Sequence, residues 1–167
     1  MSQTVAISDD AFCQACGACC DGTILSFGKL ADDDPILPEM QPHADEDGEG
    51  FSQPCACFDG ICKVYDRRPR VCRSYACGLL KALRAGSVTR AEADRHLADL
   101  RAAQSALIDV LPDAAQNVPL AMKAFTEQFR AYPDMATFMA DNAPTIAAMR
   151  TMQTHIDCFR HGPRSML

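Results

Sequence analysis

Cys13-Gln14-Ala15-Cys16-Gly17-Ala18-Cys19-Cys20 sets four thiols within eight residues, two of them adjacent. Cys55, Cys57, Cys62, Cys72 and Cys77 follow within a stretch of 23, so nine of the ten cysteines fall in the first half of the chain. The compartment decides what such thiols are for. Met1–Asp10 has neither a basic stretch nor an apolar run, so it does not read as a secretory signal, and a cytoplasmic location is expected. In a reducing cytosol disulfides are kept open, and clustered thiols serve metal binding or catalysis. The crowding at Cys19–Cys20 suits one central cation better than pairwise bridges. The first expectation is therefore a metal–thiolate centre.

The totals narrow the partners. A chain of 167 residues suffices for one ordinary domain, or for a small cysteine-rich module joined to a helical one. With 48% hydrophobic and 23% charged residues it can bury a core. A net charge of −6 argues against nucleic acid, whose phosphates need a basic surface. No apolar run approaches the ~20 residues that span a bilayer, so no membrane partner is expected.

Outward from the first cluster, residues 1–12 read as a polar lead-in. Gly22–Phe27 alternates enough for a short strand that Gly28 ends. Residues 31–50 carry eight acids, no Lys or Arg, and Pro35, Pro38 and Pro42, which predicts a solvated, mostly irregular inserted loop. Its Asp45–Glu49 run lacks the spacing of a calcium loop. Asp59-Gly60 marks a tight turn inside the second cysteine group. From Gly78 the pattern turns helical. Leu79, Leu80 and Leu83 begin a helix that Gly86 stops. Thr89 and Glu92 form a capping box for a helix from about 90 to 111, closed by Pro112. Asn117 with Pro119 opens the next, to about Ala131. Asp134 caps a short one through Met139, and Asn142 with Pro144 starts the last, with Ile146, Met149, Met152 and Ile156 inward. The predicted fold is mainly α. An irregular cysteine-rich module with little β (1–77, acidic loop 31–50 inserted) precedes a small helical bundle (78–167).

The spacing carries the chemistry. Cys13-x2-Cys16 is a half-site whose two thiolates can share a tetrahedral ion, and a closed zinc site needs four ligands. Cys13-x2-Cys16-x2-Cys19 is also the three-cysteine run of cubane iron–sulfur clusters, without the Cys-Pro that ferredoxins add. The pattern is strong for metal and weak for which metal. Four thiolates on Zn2+ leave a net charge of about −2, which is costly to bury. Arg67, Arg68, Arg70 and Arg73 surround Cys72. They read either as compensation for that charge, Arg68 and Arg73 foremost, or as a solvated basic loop tethered to the acidic stretch. Cys158 stands apart, with His155 three residues before it and His161 three after, and reads as packing rather than as a ligand. His43 and His96 have no visible partners. Met135, Met139, Met149 and Met152 read as core, with a copper(I) thioether site the lesser alternative. No nucleophile elbow, triad or phosphate loop appears.

Together these residues carry a resemblance. Cys-x2-Cys-x2-Cys-Cys, then Cys…Gly-x-Cys-x-Val-Tyr-x2-Arg-Pro-x2-Cys-Arg-x-Tyr-x-Cys, resembles the YkgJ-type cysteine-cluster proteins, often described as zinc- or iron-chelating. Here the pattern is Cys13, Cys16, Cys19 and Cys20, then Cys55 or Cys57, Gly60, Cys62, Val64, Tyr65, Arg68, Pro69, Cys72, Arg73, Tyr75 and Cys77, over residues 13–77. The resemblance implies a module that chelates Zn2+ or iron, [4Fe-4S] included, and it implies no reaction. Where the family usually has one cysteine this chain has Cys55-Ala56-Cys57. Counted back from Gly60 and Cys62, Cys55 fits the usual place, and which of the two binds metal stays open. Eight family-like thiols divide into two four-thiolate sites, a cluster plus one zinc, or one joined cluster. Cys13, Cys16 and Cys19 are expected to act together, with Cys19 and Cys20 pointing apart.

Three functions are carried forward. The first is a metal-binding module whose helical half covers it or contacts a protein partner. The second is an iron–sulfur electron carrier or oxidoreductase, with Cys57 or Cys20 as a reactive thiol; it is the one enzymatic reading of a chain that otherwise reads as a non-enzyme. The third is a metal-trafficking or thiol-sensing protein.

Overall fold

The computed structural model describes residues 9–45 and 48–163. Most of the polar lead-in, and Glu46 and Asp47 of the acidic stretch, lie outside the described residues. The helices are α1 (Asp9–Cys16), α2 (Arg70–Ser74), α3 (Gly78–Arg84), α4 (Arg90–Val110), α5 (Val118–Ala131), α6 (Met135–Asp141) and α7 (Ala143–His161). The mainly α fold is as the apolar spacing predicts.

The capping chemistry forms as read. Thr89 N–H donates to Glu92 Oε2 (2.7 Å) and Glu92 N–H to Thr89 Oγ1 (3.3 Å), closing the capping box that starts α4. Asn117 accepts from Leu120 N–H (3.0 Å) at the start of α5, and its Nδ2 donates to Gln53 O (2.8 Å), pinning the helix to the cysteine-rich half. Asp134 accepts from the Ala136 and Thr137 amides of α6.

The core sits between α3, α4 and α7. Leu79, Leu80, Leu100, Leu107, Met152, Ile156 and Phe159 bury there, joined by Phe12, Ala18 and Ile24 from the first cysteine segment. A second, smaller cluster holds Met40, Phe51, Cys55, Cys57 and Val64.

The acidic stretch is less irregular than its composition suggests. A three-stranded antiparallel sheet, β1 (Phe27–Lys29), β2 (His43–Asp45) and β3 (Gly48–Ser52), runs in the order β1-β3-β2 and draws two of its strands from that region. The buried Phe51 and the edge contact of the Phe27 and His43 rings (5.6 Å) supply apolar contacts that a count of acids misses. Gly28, expected to end a strand, lies inside β1 opposite Phe51, where a Cβ would stand 2.5 Å from the Phe51 ring.

Candidate metal centre

The first thiols ride on α1, whose Asp9–Cys16 span puts Cys13 and Cys16 one turn apart on one face. The helix stops at Gly17, at φ +62°, where a Cβ would meet the Phe58 ring at 2.3 Å; only glycine suits both demands. The chain then folds back, Cys20 N–H donating to Gly17 O (2.7 Å), and this turn delivers Cys19 and Cys20. Cys77 arrives as the N-cap of α3, its Sγ accepting from Leu80 N–H (3.4 Å). Cys13, Cys16, Cys19, Cys20 and Cys77 line one cavity of about 40 Å3, closed by Phe12, Tyr75, Leu80 and Phe159.

The second group gathers on the other side of the same turn. Cys55 N–H donates to Cys20 O (2.8 Å), Phe58 N–H to Cys55 O (2.9 Å) and Lys63 N–H to Cys57 O (2.9 Å). Phe58 and Cys62 pair across the Asp59-Gly60 turn, with Gly60 at φ +70°. Cys72 sits on α2, whose first amide, that of Arg70, donates to Asp34 Oδ1. None of the ten cysteines is in a disulfide.

Electrostatics sorts the thiols. Burial pushes Cys16 up to about 11, and the neighbouring Cys77 and Cys13 add to it while the Ala18 amide and Arg101 oppose it. Burial likewise raises Cys19 well above the ordinary range, with Cys77, Cys16, Cys20 and Cys13 behind it. Cys20 is driven up to about 12 by burial first, then by Cys72, Cys55 and Cys62, and last by Cys13. Cys72 reaches about 12 by burial, then Cys55 and Cys62, against the pull of Arg68. Cys20 thus feels Cys72, Cys55 and Cys62 most and Cys19 feels Cys77 and Cys16 most, although the two are adjacent in sequence and Cys20 also bears on Cys19. Cys57 is raised by burial, then by Glu39 and Cys62; it accepts a hydrogen bond from Cys55, while Arg67 pairs with Glu39 beside it.

The donor chemistry fits a thiophilic metal. Among the described residues no three Cys, His, Asp or Glu side chains converge as a finished coordination shell, so the thiols are gathered rather than assembled. One orphaned atom points to what completes them. Arg68 stacks its guanidinium 3.5 Å from the Tyr65 ring centre and donates from Nη1 to Tyr65 O (3.2 Å), yet its Nε is buried without a partner. An N–H in that position beside Cys72 suits a thiolate acceptor and the negative charge of a filled site. Arg73, the other nominated arginine, is exposed, and Arg70 is spent on a bidentate pair with Asp33 (2.7 and 2.8 Å).

Some participants escaped the sequence reading. Arg101 of α4 donates to Cys16 O (2.8 Å) and Thr23 Oγ1 (3.0 Å) and pairs with Asp21 (2.6 Å), bracing the first cysteine turn from 85 positions away. Tyr75, noted only as a motif position, lines the first cavity, and burial and then Cys19 hold its hydroxyl above its ordinary range. Cys158 meets His96 of α4, 3.7 Å away, rather than its helical neighbours His155 or His161. No local pattern announces contacts of this separation; Tyr75 alone had a signal, its place inside the cysteine motif.

Residues 12–94 match the CxxCxxCC family, described as a "putative zinc- or iron-chelating domain". The match runs past Cys77 through α3 and into α4. No curated protein and no solved structure matches the chain. Among the described residues no helix is long and apolar enough to cross a membrane.

Proposed function

Residues 12–94 belong to the CxxCxxCC family, and from that premise we propose that the chain binds two metal ions, zinc or iron, each held by four cysteine thiolates. The first site takes Cys13, Cys16, Cys19 and Cys77. The second takes Cys20, Cys55, Cys62 and Cys72, with Arg68 donating to its sulfurs. Cys57 stays outside both as a neighbour of Cys55.

One observation carries the reading: the thiol that bears most on Cys16 and Cys19 is Cys77, those that bear most on Cys20 are Cys72, Cys55 and Cys62, and those on Cys72 are Cys55 and Cys62. The main division therefore falls between Cys19 and Cys20, although Cys20 also bears on Cys19 and Cys13 on Cys20. Four thiolates complete a tetrahedral shell, and a set this buried holds its charge only when a cation neutralises it. Cys55 is preferred to Cys57 because Cys55 bears on both Cys20 and Cys72, whereas Cys57 bears on neither of them and has Glu39 and Arg67 beside it as well as Cys62. Binding requires each thiol to lose its proton to solvent, and the shells close as side chains turn within already gathered sets.

Metal analysis on anaerobically purified protein tests this directly. The expected result is two ions per chain, colourless for zinc and brown with acid-labile sulfide for an iron–sulfur centre. Cys16→Ser should remove one ion and keep the other, and Cys72→Ser should do the reverse. If either substitution empties both, the thiols form one joined cluster and the division is wrong.

A further inference from the structure

Cys158 of α7 and His96 of α4 form a donor pair outside both thiol sets. Cys158 Sγ stands 3.7 Å from His96 Nδ1, and both side chains are half-buried. Zinc-bound sulfur at about 2.3 Å and imidazole nitrogen at about 2.0 Å lie about 3.5 Å apart across a tetrahedral angle. The pair therefore has the bite of two ligands of one ion; the same distance serves an S–H···N contact when no metal is there. His96 also lines an open cavity of about 570 Å3 with Lys81, Glu92, Arg95, His161 and Gly162, so the pair meets solvent through its imidazole. On its inner side lies Cys77. The start of α3 and the end of α7 touch backbone to backbone, since a Cβ on Gly78 would stand 2.1 Å from Gly162 N, and this contact brings Cys77 to the Cys158 turn. Burial and then the charge of Cys77 raise the Cys158 thiol, as that neighbourhood requires.

We propose that Cys158 and His96 form a two-donor transfer position through which a thiophilic divalent cation passes between the solvent-facing cavity and the Cys13, Cys16, Cys19 and Cys77 site. The proposal rests on the two-site reading above. As the ion arrives, the Cys158 thiol gives its proton to water, and bonds form from its sulfur and from the His96 nitrogen lone pair. Cys77 loses its proton in turn and joins the shell. The Cys158 and His96 bonds then break as Cys13, Cys16 and Cys19, each giving its proton to water, replace them. The ion's own waters leave as donors bind, the freed Cys158 thiolate takes a proton back from solvent, and no electron changes hands. Two protein donors leave the remaining positions to water, which suits passage; storage needs a closed shell.

The test uses the full chain loaded with zinc, with release to an excess of chelator followed in time. Cys158→Ser and His96→Gln should each slow release of one of the two ions about tenfold, leaving the other ion and the stoichiometry unchanged. A third equivalent of Co2+ should give thiolate-to-cobalt absorption in the wild type and none in Cys158→Ser. Unchanged release in both variants overturns the proposal. So does loss of a whole ion in Cys158→Ser, which would make Cys158 a permanent ligand. Wild-type protein that holds no metal at all defeats the two-site reading itself, and that result appears before any variant is made.

Discussion

Arg68 shows how one side chain decides a charge balance. Four thiolates leave about −2 on a divalent ion, and the cost of burying that falls on nearby donors. Its Nε is buried without a partner and its charge opposes the rise at Cys72, whereas Arg73, one position beyond Cys72, faces solvent. Arg68→Gln is expected to weaken metal at the Cys20, Cys55, Cys62 and Cys72 site about tenfold without touching the other. Arg68→Lys should not restore it, because an ammonium neither stacks flat on Tyr65 nor presents a fixed Nε–H. Arg73→Ala should leave both sites alone. Chelator competition on the three variants checks the set, and an equal loss in Arg73→Ala would refute it. The motif named both arginines equally. What separates them is the hold of Tyr65, whose ring and carbonyl keep the Arg68 guanidinium half-buried while Arg73 stays exposed. The metal–thiolate character of the cysteines was legible because it depends on residue type and spacing; their partners depend on where the chain folds back.

At the scale of elements, legibility followed the caps. Thr89, Asn117 and Asp134 announce α4, α5 and α6 through short-range hydrogen bonds that any reader of the chain can pair. α2 has five residues and no side-chain cap, with Pro69 at its N-cap, and α1 has only eight residues. Helices this short are marginal alone and exist because tertiary packing holds them; for α1 the anchor is Phe12, buried among Leu79, Leu80 and Phe159. Contact between elements makes its own prediction at Gly78. A Cβ there would meet Gly162 N at 2.1 Å and His161 C at 2.4 Å, backbone atoms that have no rotamer to escape into. Gly78→Ala should therefore cost about 1–3 kcal/mol or more, as overpacked sites do. Gly86 offers the contrast: it sits at φ +70° with nothing within 4 Å of a Cβ. There Gly86→Ala should cost only the strain of a left-handed alanine, about 1–2 kcal/mol. Urea denaturation of both variants decides, and a smaller loss at Gly78 than at Gly86 would show that α3 and α7 can part freely.

The whole molecule has two cores of unequal strength. Among the described residues the helical cluster buries sixteen side chains, Phe12, Ala18 and Ile24 included, while the second cluster buries five, two of which are Cys55 and Cys57. So small a cluster cannot supply much burial energy, and thiols at its centre tie its order to whatever they bind. Metal and pH should therefore act on one part of the chain. In the metal-free protein Cys16 stands at about 11 and Cys20 and Cys72 at about 12, so near pH 7 these thiols are protonated. Ions then displace protons, and each proton released multiplies apparent affinity about tenfold per pH unit, so metal is lost on acidification. Without metal the sign reverses. Thiols whose values are raised on folding stabilise the protein below their ordinary value of 9.0, and that stability fades as pH climbs through about 11 to 12. Hydrogen exchange with and without chelator near pH 7 distinguishes the cores. Amides between β1 and α2 should lose most of their protection when metal is removed, while those of α4 and α7 keep theirs. Mild acidification of the loaded protein should open the same segment. Protection lost evenly along the chain would mean that the two clusters unfold together, held by Phe12, Ala18 and Ile24 more tightly than by the metal.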